Sequence, residues 1–175
     1  MKADNKHTKI ISAATKVFAK KGFFTARISD IAKEAKVADG TIYLYFNNKY
    51  DILLSVFEEE VGKIVNNTRN LIEKEDDPVE KLKVYITQHL LAMKKNRYLA
   101  EVIQIELRQT NKVIKTYRDT KFSEYVSIVA QIISEGQKRG TYKAEINPEI
   151  AKRIIFGSLD EVCRVWNASL ESHYT

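Results

Sequence analysis

Apolar residues recur at intervals of three and four along most of this 175-residue chain, and no stretch alternates apolar with polar for long enough to make a strand. A period of 3.6 gathers such residues on one face of a helix, whereas on a strand they would scatter over both faces. The chain is therefore expected to be all-α. Residues 8–21 put Ile10, Ile11, Ala14, Val17 and Phe18 on one face, and Gly22 supplies a stop. Residues 28–35 repeat this with Ile28, Ile31, Ala32 and Ala35. Longer runs cover 50–74, 78–94, 97–109, 112–139 (ending at Gly140) and 148–167. Asp77-Pro78-Val79-Glu80 and Asn147-Pro148 read as cap-plus-proline starts of two of them.

The two short segments at the front are the informative ones. A helix over 28–35, a turn closed by Val37 and a second helix over Gly40–Phe46 make a helix-turn-helix. Ile42 and Phe46, four apart, would face the core and leave Tyr43 and Tyr45 pointing outward. Charge supports the reading. The first fifty residues hold ten Lys and Arg against four acids, while the remainder holds 19 of each, so the whole net charge of +6 sits in the head. That asymmetry suits a segment that alone meets a polyanion.

In a helix-turn-helix the second helix enters the major groove of DNA with its N-terminal turn nearest the bases. The hydroxyls of Thr41, Tyr43 and Tyr45 suit phosphate oxygens or base edges, Leu44 suits a thymine methyl, and the amides around Gly40 suit phosphate. Lys49 would reach a backbone phosphate, and Ser29 completes the expected set. Asp39 either caps the helix, the preferred reading, or accepts from a cytosine amino group. A single short recognition helix reads few bases, so a homodimer on a palindromic double-stranded operator is expected.

Other classes find little support. Cys163 is the single cysteine, so no intrachain disulfide is possible. The N-terminus MKADNKHTK lacks the apolar segment of a signal peptide, and no stretch approaches the ~20 apolar residues of a membrane span. A cytoplasmic protein without membrane association is expected. His7, His89 and His173 lack metal-ligand spacing, and His89, on an apolar stripe, reads as a satisfied core residue. No metal and no cofactor are expected. Neither a nucleophile with its base nor a glycine-rich phosphate loop is present, which argues against an enzyme. A helical scaffold would need neither the charge segregation nor the exposed tyrosines.

The stretch GFFTARISDIAKEAKVADGTIYLYFNNKYDIL resembles the N-terminal domain of TetR-family transcriptional repressors, with Ile31-Ala32, Val37, Gly40-Thr41, Tyr43, Phe46, Lys49 and Leu53 at the family's positions. It departs at Arg27, where the family usually has Thr or Ser, and at Ala38-Asp39, where Ser-Lys is common. The resemblance implies a DNA-binding domain over 1–50 and a helical ligand-binding and dimerisation domain over 51–175, in which one further C-terminal helix common in the family is missing. IELRQTN (105–111) and RIIFGSLDEVCRVW (153–166) are similar to the FadR-type members of Bacillus-like bacteria. Those repress fatty-acid degradation genes and are released by long-chain acyl-CoA, which becomes the expected effector; the alternative is another hydrophobic small molecule such as a drug.

On a helix, Arg97, Glu101, Gln104, Arg108 and Asn111 form one stripe opposite Leu99, Val102, Ile103 and Leu107. Such a helix could hold a phosphate-rich head beside a hydrocarbon tail, with Gln104, Arg108 and Asn111 on the head and Arg108 as the anion clamp. Phe57, Leu90, Ile132, Phe156 and Trp166 are the expected tail-pocket residues.

Overall fold

The computed structural model describes residues 2–106 and 122–168. Among the described residues there are eight helices and no strand: α1 (Lys2–Lys21), α2 (Ile28–Ala35), α3 (Asp39–Tyr43), α4 (Lys49–Ile72), α5 (Pro78–Lys95), α6 (Arg97–Glu106), α7 (Ser123–Lys138) and α8 (Pro148–Ala168). They form two compact units. The first comprises residues 2–61 with 98–106, the second 62–97 with 122–168, and α4 supplies residues to both.

Helix starts and stops follow local chemistry. Gly22 and Gly140 end α1 and α7 at φ of 73° and 76°, a left-handed conformation that glycine adopts without a steric penalty. Asp77 accepts from the Val79 amide at 3.1 Å ahead of Pro78, and Asn147 accepts from the amides of Glu149 and Ile150 at 2.9 and 3.2 Å, so both cap-plus-proline signals hold. Helix α1 begins at Lys2, earlier than residue 8, because the polar lead-in contains neither Gly nor Pro to break it. The run expected over 112–139 is described from residue 122 onward, and residues 107–109 of the run over 97–109 also lie outside the described residues.

The first unit closes around Ile10, Ala14 and Phe18 of α1, Ile31 and Ala32 of α2, and Ile52, Leu53 and Val56 of α4, all fully or almost fully buried. Phe23, in the α1–α2 turn, packs against Phe18 and Tyr50 with ring centroids 5.4 and 4.7 Å away. Asp30, in the first turn of α2, accepts from the Arg27 amide at 3.0 Å and from the Lys21 ammonium at 2.7 Å. The Lys21 bond, then the amide, hold its carboxyl below the usual range. Lys36 ends α2 at φ 57° and ψ 47°, which lets the Val37 amide bond back to the Ala32 carbonyl at 3.0 Å.

In the second unit α5, α7 and α8 pack together. Tyr85, His89 and Met93 of α5, Val129, Ile132 and Ile133 of α7 and Leu159 and Cys163 of α8 are all buried. Beyond α7 the chain folds back so closely that a Cβ on Gly136 would overlap the Tyr142 ring, whose hydroxyl donates to the Pro78 carbonyl at 3.1 Å. Lys81 donates to both oxygens of Glu135 at 2.8 Å, tying α5 to α7. His89 is the core histidine expected, 4% exposed with Nδ1 3.0 Å from the Tyr125 hydroxyl.

Two stability outcomes follow from these geometries. Burial pushes the His89 imidazole down from 6.5 to about 4, so between those pH values the unfolded chain binds a proton that the native state refuses. Stability therefore falls as pH drops through this window, by about 3 kcal/mol, and urea titrations should show that His89→Gln lacks this loss while sharing the carboxylate contributions. Lys36 carries a Cβ in the left-handed region, so Lys36→Gly is expected to stabilise the head by about 0.5–1 kcal/mol in the same assay.

Candidate DNA interface and effector site

The recognition segment is shorter and differently started than the sequence suggests. Helix α3 is confined to Asp39–Tyr43, with Ala38 as its N-cap and no side-chain cap hydrogen bond. Asp39 is thus the first helical residue, and the capping role preferred for it is corrected: a cap must sit one position earlier, in extended backbone. Past Tyr43 the turn tightens, the Tyr45 and Phe46 amides both bonding to the Ile42 carbonyl at 3.0 Å. That tightening still buries Phe46 at 5% exposure, beside Ile42 at 0%.

The outward set is narrower than expected. Tyr43 is 58% and Leu44 80% exposed, while Ser29, Asp39 and Gly40 are also exposed and Thr41 is half-buried. Tyr45 does not point away. It is half-buried, with its ring 6.0 Å from His7 and 6.5 Å from Phe46, because the tightened turn swings it back toward α1. A Cβ on Gly40 would meet open space, so nothing inside the head demands glycine there.

Lys49 is corrected as well. Its ammonium, expected at a phosphate, donates to the carbonyls of Phe24 at 3.1 Å and Ala26 at 2.7 Å and lies 4.6 Å from the centre of the Phe23 ring. A cation at a helix N-terminus opposes the helix dipole, and these carbonyls offset that cost. Lys49 thereby ties the α1–α2 turn to the start of α4. Around it, Asn48 Oδ1 accepts from the amides of Tyr50 and Asp51 at 2.8 and 3.0 Å, and Asp51 accepts from the amide and side chain of Asn47 at 3.1 and 3.0 Å. This double cap went unread in the sequence, although an asparagine followed three residues later by an acid was its signal. Phe24, 62% exposed beside this turn, also went unread.

The expected effector residues fall into three groups. Phe57 and Gln104 belong to the first unit and are buried at 0% and 7% exposure; Gln104 is therefore not on a solvated polar face, whereas Arg97 is exposed and donates to the Asn167 carbonyl at 3.0 Å. Leu90, Ile132, Phe156 and Trp166 belong to the second unit, Ile132 buried and the others half-buried. Phe156 sets its edge against His89 at 5.6 Å, and Trp166 lies under the Lys94 ammonium at 5.7 Å. Arg108 and Asn111 lie outside the described residues.

These placements separate two lysine and tyrosine roles by experiment. Tyr43→Ala should weaken specific duplex binding by about 1–3 kcal/mol with a nearly unchanged unfolding midpoint, since more than half of its side chain faces solvent. Lys49→Met should weaken binding while the slope of log affinity against log salt stays as in the wild type; a phosphate contact would instead reduce that slope by about 0.9.

Known proteins resemble the chain along nearly its whole length. Residues 10–56 match the bacterial regulatory proteins of the tetR family, and residues 57–174 match the C-terminal region of YsiA-like proteins. The fatty acid metabolism regulator protein of Bacillus subtilis (strain 168) is 38% identical over 161 residues, 92% of this chain and 83% of that protein. The crystal structure of the transcriptional regulator FadR from Bacillus subtilis in complex with stearoyl-CoA superposes with a TM-score of 0.86 at 38% identity, covering 91% of this chain and 86% of that one. The fatty acid degradation regulator FadR from Bacillus halodurans gives 0.87 at 40% identity, covering 92% and 83%. The chain belongs to the TetR family of bacterial regulatory proteins, with a C-terminal region of the YsiA-like kind.

Proposed function

We propose that the chain is a cytoplasmic transcriptional repressor that binds a palindromic operator as a homodimer and is released by long-chain acyl-CoA, controlling genes of fatty-acid metabolism. The observation that carries this reading is 38% identity, over 92% of the chain, to a fatty acid metabolism regulator, together with the stearoyl-CoA held by the B. subtilis FadR structure. Operator contact is assigned to Tyr43, Leu44 and Thr41, with Ser29, Asp39 and Gly40 at the margin. Tyr45 and Lys49 support them from behind. Residues 1–50 form the DNA-binding domain and 51–175 the ligand-binding and dimerisation domain.

The second copy has a natural seat on α8. Ile150 and Ile154, 56% and 62% exposed, share a face with exposed Gly157 and Ser158 and with Val162 at 38%. Such an apolar stripe with small residues in its middle suits close approach of another helix.

The acyl-CoA head carries phosphates, for which Arg108 is the clamp in this reading, and the tail takes the apolar side chains Leu90, Ile132, Phe156 and Trp166 of the second unit. Release requires the effector to bind the DNA-incompetent arrangement of the heads more tightly, since equal affinity for both arrangements shifts nothing. Helix α4, which supplies residues to both units, is the lever in this account.

Titrating stearoyl-CoA into the operator complex should free the DNA while coenzyme A alone does not. Arg108→Ala should raise the half-release concentration about 10- to 100-fold, the worth of a charge-assisted bond. If an intact dimer stays on the operator at saturating acyl-CoA of every chain length, another hydrophobic molecule is the effector; if Arg108→Ala responds like the wild type, the clamp lies elsewhere.

A further inference from the structure

The sequence leaves His7 in a polar lead-in ahead of the first expected helix, whereas the structure places it inside α1. There it is half-buried and touches two other parts of the head at once. Its ring stacks on Phe46, with centroids 5.1 Å apart and planes 29° from parallel, and lies 6.0 Å from the Tyr45 ring. Its Nδ1 lies 3.3 Å from Oε1 of Glu59 on α4. An N–H at that nitrogen, on a neutral or a protonated ring, makes the contact attractive.

The turn that His7 supports is the one on which the outward residues depend. Helix α3 ends at Tyr43, so the course of Leu44, Tyr45 and Phe46 is set by what their side chains touch. Phe46 is buried and Tyr45 half-buried, and His7 lies against both rings, while Tyr43 and Leu44 just before them face outward.

Glu59 gives this support its other end. The caps of Asn47, Asn48 and Asp51 fix the start of α4 close to the same turn, but Glu59 lies ten residues beyond Lys49, about 15 Å along the helix axis. A tilt of α4 about its capped start moves Glu59 much further than it moves the first turn. A link at Glu59 registers such a tilt and the caps do not. A half-exposed ion pair by itself contributes little. Here one ring carries both the pair and the stack, so a displacement at one is handed to the other.

We propose that His7 is a positioning residue for operator recognition, passing the position of α4 at Glu59 to the turn that sets Tyr43 and Leu44. The proposal rests on the reading of α3 as the operator-contacting helix.

The test compares full-chain variants on two duplexes: a palindromic one selected by the wild-type protein from a randomised pool, and a scrambled one of the same composition. His7→Phe keeps a ring for the stack and removes the contact with Glu59, and Glu59→Leu removes that contact from the other side. Each is expected to weaken binding to the selected duplex about 3- to 10-fold, leaving binding to the scrambled duplex and the slope of log affinity against log salt as in the wild type, because no phosphate contact is lost. The double variant should bind no more weakly than either single one, since both cut the same link. His7→Ala, which also removes the stack, should weaken the selected duplex further. Wild-type preference in His7→Ala or in both contact variants, losses that add in the double variant, or equal weakening on the two duplexes overturns the assignment and leaves the operator reading standing. Failure of the wild type to select any sequence from the pool overturns the operator reading and this assignment with it.

Discussion

A five-residue helix has no stability of its own in water, since nucleation fixes several residues before the first hydrogen bond repays it. Helix α3 exists because Ile42 and Phe46 are buried against the rest of the head. Everything the proposed DNA interface presents is positioned by that burial. Tyr43 and Leu44 are held outward because their neighbours on either side are held in, and the tightened turn after Tyr43 is what allows Phe46 to reach the core from a helix that has already ended. The clamp from Lys49 to the α1–α2 turn and the double cap of Asn48 and Asp51 then fix where the next helix departs.

Features set by periodicity and local capping could be read directly from the residues. Helix α2 spans the interval predicted from Ile28, Ile31, Ala32 and Ala35, and Asp77-Pro78 starts a helix as its composition requires. What escaped depends on partners distant in the chain. Nothing near Lys49 says that carbonyls more than twenty positions earlier will take its ammonium. Gln104 was placed on a polar face from its spacing alone, yet it is buried, because a helix wheel assigns a side and neighbours decide which sides meet solvent. Tyr45 illustrates the same limit. An ideal helix points it outward, and the turn that replaces the helix does not.

Of the residues expected at the effector, the apolar ones could be recognised as core candidates without knowing which lie together. Phe57 and Gln104 belong to one unit and Leu90, Ile132, Phe156 and Trp166 to the other, a division that amphipathic periodicity does not encode.

Along α3 and the turn after it, residues that hold the fold alternate with residues that face outward: Ile42 and Phe46 are indispensable to the packing, while Tyr43 and Leu44 touch little of it. In the proposed reading, stability and sequence preference therefore draw on separate side chains. A lineage could exchange the exposed pair and drift to a new operator without passing through an unfolded intermediate, and duplicated copies of such a chain could diverge in the genes they control while keeping one architecture.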